Sequence, residues 1–329
     1  MIIKERRTPV VVSGLQLLLT RLLPHYPLRT YLEDELAKYL SGHKGEQSID
    51  FHLKDLPQKE YLIFHNLRIP HNNSFFQLDI LILTPNYFFI IEVKNFSGKL
   101  YFDQDLFQLI RTYNGLEETF ADPISQLKRQ RYCLMDWLKD HHSVEIPVEA
   151  VVVISNPQTQ IKVSPGRTEV YKWISHKINL PEKIRYFDKK HSEERLSMKD
   201  LRKLSKALLK AHTSPTPNLL QKYQISQDDI VKGVSWPSCG LIPMIRNKRK
   251  WFCPSCKCYS KSAHIQALKD YALLFGPTIT NSQFRDFIQL ESRTIAKKLL
   301  LSMDLPTSGE LRHRKYHLDF DEWLSLIHI

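Results

Sequence analysis

The sequence predicts an α/β protein in which helices flank a mixed sheet, followed by a small cysteine-bearing module and a helical tail. Three observations carry this. Runs of β-branched and aromatic residues alternate with segments of helical periodicity from residue 30 to about 211. A His-Thr-Ser-Pro-Thr-Pro stretch at 212–217 has the composition of a linker and marks the main boundary. Four of the five cysteines crowd into residues 239–258.

Taken in order, residues 1–29 mix basic and apolar side chains around Pro9, Pro24 and Pro27, and read as a leader with a short helix at 15–23 and no chemistry. A helical pattern starts at Thr30, breaks at Ser41-Gly42 and resumes. In its second piece Ile49, Leu53 and Leu56 form an apolar stripe, with Glu46 on the same side. That glutamate is either a capping or ion-paired group or an acid aimed at a site. Strands are predicted at 61–69, on either side of the Thr84-Pro85-Asn86 turn, at 99–103 and at 115–121. Asp122-Pro123 then starts a helix, aspartate as N-cap and proline in the first turn. Its Ile124, Leu127, Leu134 and Leu138 suit packing on the sheet. Gln126 and Gln130 lie one turn apart beside Lys128, Arg129 and Arg131; for Gln130 and the cations a solvated face is expected. A buried strand at 148–155, a further strand near 169–174 and a helix at 198–211 complete this region.

The anomaly lies within residues 75–98. Strand alternation sends Gln77 and Asp79 one way and Phe76, Leu78, Ile80 and Ile82 the other. In the next strand Glu92 and Lys94 share a face with Ile90, opposite Phe89, Ile91 and Val93. Burying such charges is costly unless they pair or hold an ion. Two carboxylates on adjacent strands suit a hard divalent cation, magnesium or manganese, through oxygen ligands. A lysine two residues further on would face the same cavity and act on an attacking water.

Gly45-Glu46, Gln77-Leu78-Asp79, Ile91-Glu92-Val93-Lys94-Asn95 with Gly98, and Asp122-Pro123-Ile124-Ser125-Gln126 occur in that order. Together they resemble the nuclease-related domain, NERD, a bacterial branch of the PD-(D/E)XK nuclease superfamily. The resemblance covers about residues 40–155. It implies a restriction-endonuclease-like mixed sheet flanked by helices over 30–212, with core 40–155, and metal-dependent phosphodiester hydrolysis. It also implies metal at Asp79 and Glu92, Glu46 as third acid, Lys94 acting on the nucleophilic water and Gln126 positioning it.

A net charge of +12 favours a polyanionic partner, nucleic acid before an anionic membrane surface. Too few cysteines for a disulfide scaffold, no apolar run of membrane-spanning length and no signal-peptide pattern lead to a cytoplasmic expectation. No phosphate-binding Gly-x-x-x-x-Gly-Lys-Ser/Thr motif is present, so an ATP-driven motor is excluded from this chain.

After a linker at 213–234, residues 235–262 describe a zinc ribbon with a damaged first knuckle, since Trp236 stands where a cysteine is expected. Cys239, Cys253 and Cys256 are candidate zinc ligands, with Cys258 or His264 as the fourth. The alternative is a metal-free ribbon held by Trp236 and Trp251. Residues 263–329 then resemble a winged helix: helices at 264–275, 282–290 and 293–303, and a hairpin at 305–318. In the third helix Ile295, Leu299 and Met303 are expected inward and Arg293, Thr294, Lys297 and Lys298 outward, as in a groove-reading helix. Arg312, Arg314 and Lys315 would meet phosphates from the wing. A solvated basic helix on an interaction domain is the plainer reading. The expected function is therefore a magnesium-dependent nuclease acting on DNA, with a non-catalytic DNA-binding or regulatory protein as the alternative.

Overall fold

A computed structural model of the chain describes residues 1–57, 59–141, 145–236 and 239–318, the side chain of Arg312 excepted. The chain divides into two compact units, Met1–Thr8 with Leu40–Pro215, and Pro9–Tyr39 with Thr216–Ile329. Helix α1 (Val10–Arg21) lies in the second unit, while α2 (Arg29–Leu53) runs unbroken through the boundary. The break expected at Ser41-Gly42 does not occur. A single interior glycine costs a helix only about 1 kcal/mol, and the following turns are anchored by buried Ile49 and Leu53.

In the first unit, β1 (Ile2–Lys4), β2 (Leu62–His71), β3 (Ser74–Leu83) and β4 (Phe88–Lys94) are followed by the hairpin strands β5 (Lys99–Asp103), β6 (Gln108–Tyr113) and β7 (Leu116–Ala121). Helix α3 (Pro123–His141) leads to β8 (Val148–Ile154), β9 (Gln160–Val163) and β10 (Ile174–His176), then α4 (Leu180–Lys190) and α5 (Met198–Ala211). The main sheet is mixed, in the order β1-β2-β3-β4-β8-β10. β2, β3 and β4 pair antiparallel, whereas β1, β8 and β10 join in parallel. β7-β6-β5-β9 form a second sheet. The strand expected at 169–174 is instead a 3-10 turn, Thr168–Lys172, running into β10, with Val170 and Ile174 both spent on the core.

Helices cover both faces of the main sheet, which is why β4 and β8 are apolar almost throughout. On one side α3 (Leu127, Leu134) and α5 (Leu201, Leu204, Leu208) share a core with Phe64, Leu81, Ile90 and Val152. On the other, Ile49 and Leu53 of α2 and Ile184 and Phe187 of α4 pack over Ile80, Ile82, Ile91 and Val151. Simple alternation fails at one place. Phe64 and Leu67 lie in the same core, as do Leu78 and Leu81, so the faces exchange at Asn66 and Asp79. Asn66 takes a left-handed backbone conformation, φ 50°, which asparagine tolerates better than most residues. Ile80 and Ile82 are therefore on the face opposite Phe76 and Leu78, contrary to the pattern expected from the sequence.

The second unit joins α1 to α6 (Leu219–Lys222), a three-stranded sheet β11 (Ile245–Asn247), β12 (Lys250–Phe252) and β13 (Tyr259–Ser260), and a helical tail. The tail runs α7 (Ala263–Phe275), β14 (Thr278–Thr280), α8 (Asn281–Ile288), α9 (Arg293–Leu301), β15 (Thr307–Ser308), β16 (Lys315–His317), with strand order β14-β16-β15. Thr280 and Gln283 form a reciprocal capping box at α8, and Ser292 caps α9. One core gathers Leu15, Leu18, Trp251, Leu268, Tyr271, Phe284, Phe287, Ala296 and Leu300. In α9 Ala296 and Leu300 are the fully buried residues; of the expected inward stripe, Leu299 and Met303 pack against the core partly buried, and Ile295 is exposed. The end of the tail expected at 263–329 lies, from residue 319, outside the described residues.

Each unit buries a neutral histidine. Burial, with Arg6 adding to it, pushes His65 down to about 4, and burial with Arg246 does the same to His264, whose Nδ1 accepts the Trp251 indole N–H at 3.3 Å. A folded-state value below the unfolded one means the unfolded chain binds the extra proton first. The stability this gives is complete above about pH 6.5 and is lost as pH falls from there towards 4, by about 3 kcal/mol per histidine. Urea unfolding at pH 7 and at pH 4.5 is expected to show this loss, and His264→Gln is expected to reduce it.

Candidate functional site

β3 and β4 pair from Leu83–Phe88 as far as Ile80–Ile91, and beyond that point they part. β4 meanwhile stays bonded to β8 through Lys94–Ile154. Asp79 and Glu92 stand just past the point where the strands part. Val93 N–H, left without a strand partner there, donates to Asp79 Oδ2 at 2.8 Å. Glu92 is almost fully buried and accepts three side-chain bonds: Lys94 Nζ at 2.8 Å and Gln126 Nε2 at 2.7 Å on Oε1, and Gln130 Nε2 at 2.7 Å on Oε2. Lys94 Nζ also donates to Gln126 Oε1 at 3.0 Å. Asp122 does start α3, accepting the N–H groups of Ile124 and Ser125, and this helix start aims both glutamines at β4.

Glu46, from α2, completes the group. Burial, then Glu92 and then Glu46, raise the Asp79 carboxyl well above its usual range. Burial raises Glu46 too, although Arg6 and Asn66 oppose it. Lys94 and Gln126 touch Glu92 directly, and Asp79 and Glu46 lie within electrostatic reach of it, although the oxygens of the three acids do not all fall within 4.8 Å of one another.

The motif fragments also brace one another. Asn95 Nδ2 donates to Ser41 O at 2.8 Å, and Ser155 Oγ donates to Asn95 Oδ1 at 2.9 Å. A Cβ at Gly45 would lie 2.5 Å from Asn95 Cβ and 2.9 Å from Ser155 Oγ, so only glycine lets α2 approach closely enough to deliver Glu46. Gly98, at φ +94°, turns the chain where a Cβ would meet Thr112 O at 2.3 Å.

Two participants do not follow the sequence reading. Gln130 is not on a solvated face: it is buried, bonds Glu92 and Gln77 O, and its Oε1 has no partner among the described residues. Its position four residues after Gln126 was the available signal. Arg6, in a segment expected to carry no chemistry, bonds Glu46, Asp50, His65 and Asn66. No periodicity marks it, because it follows a strand of only three residues.

In the second unit, Cys239, Cys253 and Cys256 have sulfurs within 4.8 Å of one another, a soft donor set that could bind zinc. The Cys256 backbone N–H beside the Cys253 sulfur lowers that thiol to about 7. Cys258 stands outside this group, its Sγ 3.5 Å from Cys256 O, and His264 is engaged by Trp251. On α9, Arg293, Lys297 and Lys298 are exposed; Arg314 is half-buried, and the Arg312 side chain lies outside the described residues.

A mixed sheet between helices, with acids and a lysine standing where two strands part, is the arrangement of a nuclease-like α/β domain. Residues 41–155 match the family model of the nuclease-related domain, NERD. No curated protein and no solved structure matches the chain. Among the described residues no helix is long and apolar enough to cross a membrane.

Proposed function

We propose that the first unit is a metal-dependent nuclease cutting phosphodiester bonds in DNA, and that the winged-helix-like tail of the second unit holds nucleic acid. The observation that carries this reading is the placing of Asp79 and Glu92 where β3 and β4 part, with Lys94 on Glu92 and Glu46 on the adjoining turn of α2. The donors there are all oxygens, and Gln130 Oε1 adds a buried acceptor without a donor, which suits magnesium or manganese. Asp79 and Glu92 would hold the cation, with Glu46 as third acid. Bound there, it supplies polarisation of a phosphoryl oxygen and a lowered water pKa. Lys94, fixed as an ammonium between Glu92 and Gln126, orients the attacking water and offsets charge on the phosphate. Gln126 holds the ammonium, and Gln130 holds the second Glu92 oxygen. Three cysteines and a fourth donor would hold a structural zinc in the ribbon-like sheet.

The test is cleavage of supercoiled plasmid by the full chain with magnesium or manganese. Asp79→Ala and Lys94→Ala are each expected to lose activity by about 10²-fold or more. Undiminished cleavage by both would remove the assignment. DNA affinity without any divalent-ion heat in calorimetry would favour a non-catalytic binding protein. For the tail, replacing Lys297 and Lys298 together by alanine should weaken DNA binding uniformly across sequences. It should also reduce the slope of log affinity against log salt by about 2; an unchanged slope would take α9 off the phosphates.

A further inference from the structure

Arg6 is the most completely engaged cation of the first unit. A guanidinium has five N–H donors, and all five are used. Nε and Nη2 fork onto Asp50 at 3.1 and 3.0 Å, Nη2 also meets His65 Nδ1 at 2.9 Å, and Nη1 donates to Asn66 Oδ1 at 2.9 Å and to Glu46 Oε2. The side chain is only 4 % exposed. Asn66 does two things at once: its Oδ1 accepts from Arg6 and its Nδ2 donates to the same Glu46 oxygen, Oε2, at 3.1 Å. Both bonds to Glu46 therefore fall on one oxygen. Oε1 accepts no hydrogen bond among the described residues, and Gly45, the neighbour of Glu46, packs against Asn95, three residues beyond Glu92 on the chain. A glutamate on a helix has three rotatable bonds. Here one of its oxygens is pinned from two sides and the other is left over.

We propose that Arg6, with Asn66, is a positioning residue for the acidic site: it fixes Glu46 so that its free oxygen is presented to a divalent cation shared with Asp79 and Glu92. The proposal rests on the nuclease reading of that site. Arg6 touches neither the cation nor the substrate; it acts through Glu46, as outer groups that hold metal-binding carboxylates do. Two features of the network argue for arginine over any other cation. The fork onto Asp50 requires two N–H groups in one plane, which lysine cannot present. The left-handed backbone at Asn66 brings its amide between the guanidinium and Glu46.

The experiment is Mn²⁺ binding by calorimetry to the full chain, with the metal dependence of plasmid cleavage alongside. Wild type is compared with Arg6→Lys, Asn66→Gly and Asp79→Ala. Asn66→Gly keeps the left-handed backbone accessible and serves if the arginine variant fails to fold. The expected result is a 10- to 100-fold weaker Mn²⁺ affinity in Arg6→Lys and Asn66→Gly. Their cleavage rate should recover at saturating Mn²⁺, whereas Asp79→Ala should not recover. A purely structural role would lower the rate without shifting its metal dependence, and that outcome overturns the proposal. So does Mn²⁺ affinity within twofold of wild type in both variants while Asp79→Ala has lost it, which leaves the nuclease reading intact. If wild type binds no more Mn²⁺ than Asp79→Ala, the nuclease reading falls and takes the positioning role with it.

Discussion

Replacing Glu92 by glutamine is expected to cut metal-dependent cleavage on the order of 10³-fold and to abolish divalent-ion heat in calorimetry. The change is nearly isosteric, so cavity formation plays no part. What changes is the pattern of donors and acceptors. Glu92 takes three hydrogen bonds, two on Oε1 from Lys94 and Gln126 and one on Oε2 from Gln130. An amide must place its NH₂ group against at least one of those donors, and it removes the charge that Lys94 opposes. A buried group left unsatisfied costs about 1–3 kcal/mol, so the unit should remain folded while the site loses both its negative charge and its fixed lysine. Activity comparable to wild type in a folded Glu92→Gln protein would mean that the acids of this site do no chemistry.

The largest effect on stability is expected at Arg21. This side chain is wholly buried in the second unit, donating to Asp270 Oδ2 through Nη2 at 2.6 Å and Nε at 3.1 Å and to the carbonyls of Val231 and Gly233 through Nη1. Phe287 lies 4.7 Å beneath the guanidinium. Asp270→Ala leaves that charge without its carboxylate in a dry interior, and breaking a buried pair from one side costs about 3–5 kcal/mol. Replacing both partners, Arg21→Met with Asp270→Leu, should recover most of the loss, because the pair itself is offset by the cost of removing two charges from water. Denaturant midpoints of the single and double variants give the answer. Equal losses in both would show that shape, not charge, is what Arg21 contributes.

Much of the site was legible because its signals are local. Asp79, Glu92 and Lys94 stand out as charges on strands that are otherwise apolar, and Asp122-Pro123 announces a helix start that aims Gln126. What escaped depends on contacts between distant segments. Arg6 reaches Glu46 forty positions away in sequence through a three-residue strand too short to carry a period. The exchange of faces at Asn66 and Asp79 overrides the alternation that placed Ile80 with Leu78, since it is imposed by one left-handed residue and by the parting of two strands. In the tail, the three helices and the pair of strands after them were readable from the sequence, but β14, which pairs with β16 from before α8, was not. Nor was the centre of the inward face of α9, because Ala296 looks neutral in sequence while Ile295 looks inward. The ribbon's fourth donor was underdetermined for the same reason: His264 is as good a ligand as any until Trp251 claims it.

The segment that matches the family, residues 41–155, does not coincide with a closed sheet. β1 borders β2 from the N-terminal side, β10 borders β8 from the C-terminal side, and α4 and α5 cover the two faces from beyond residue 155. A fragment trimmed to those limits would bare the stretches of β2 and β8 that β1 and β10 pair with and the parts of both faces under α4 and α5, and would lose Arg6 as well. Such a piece would associate with its own copies in preference to staying monomeric.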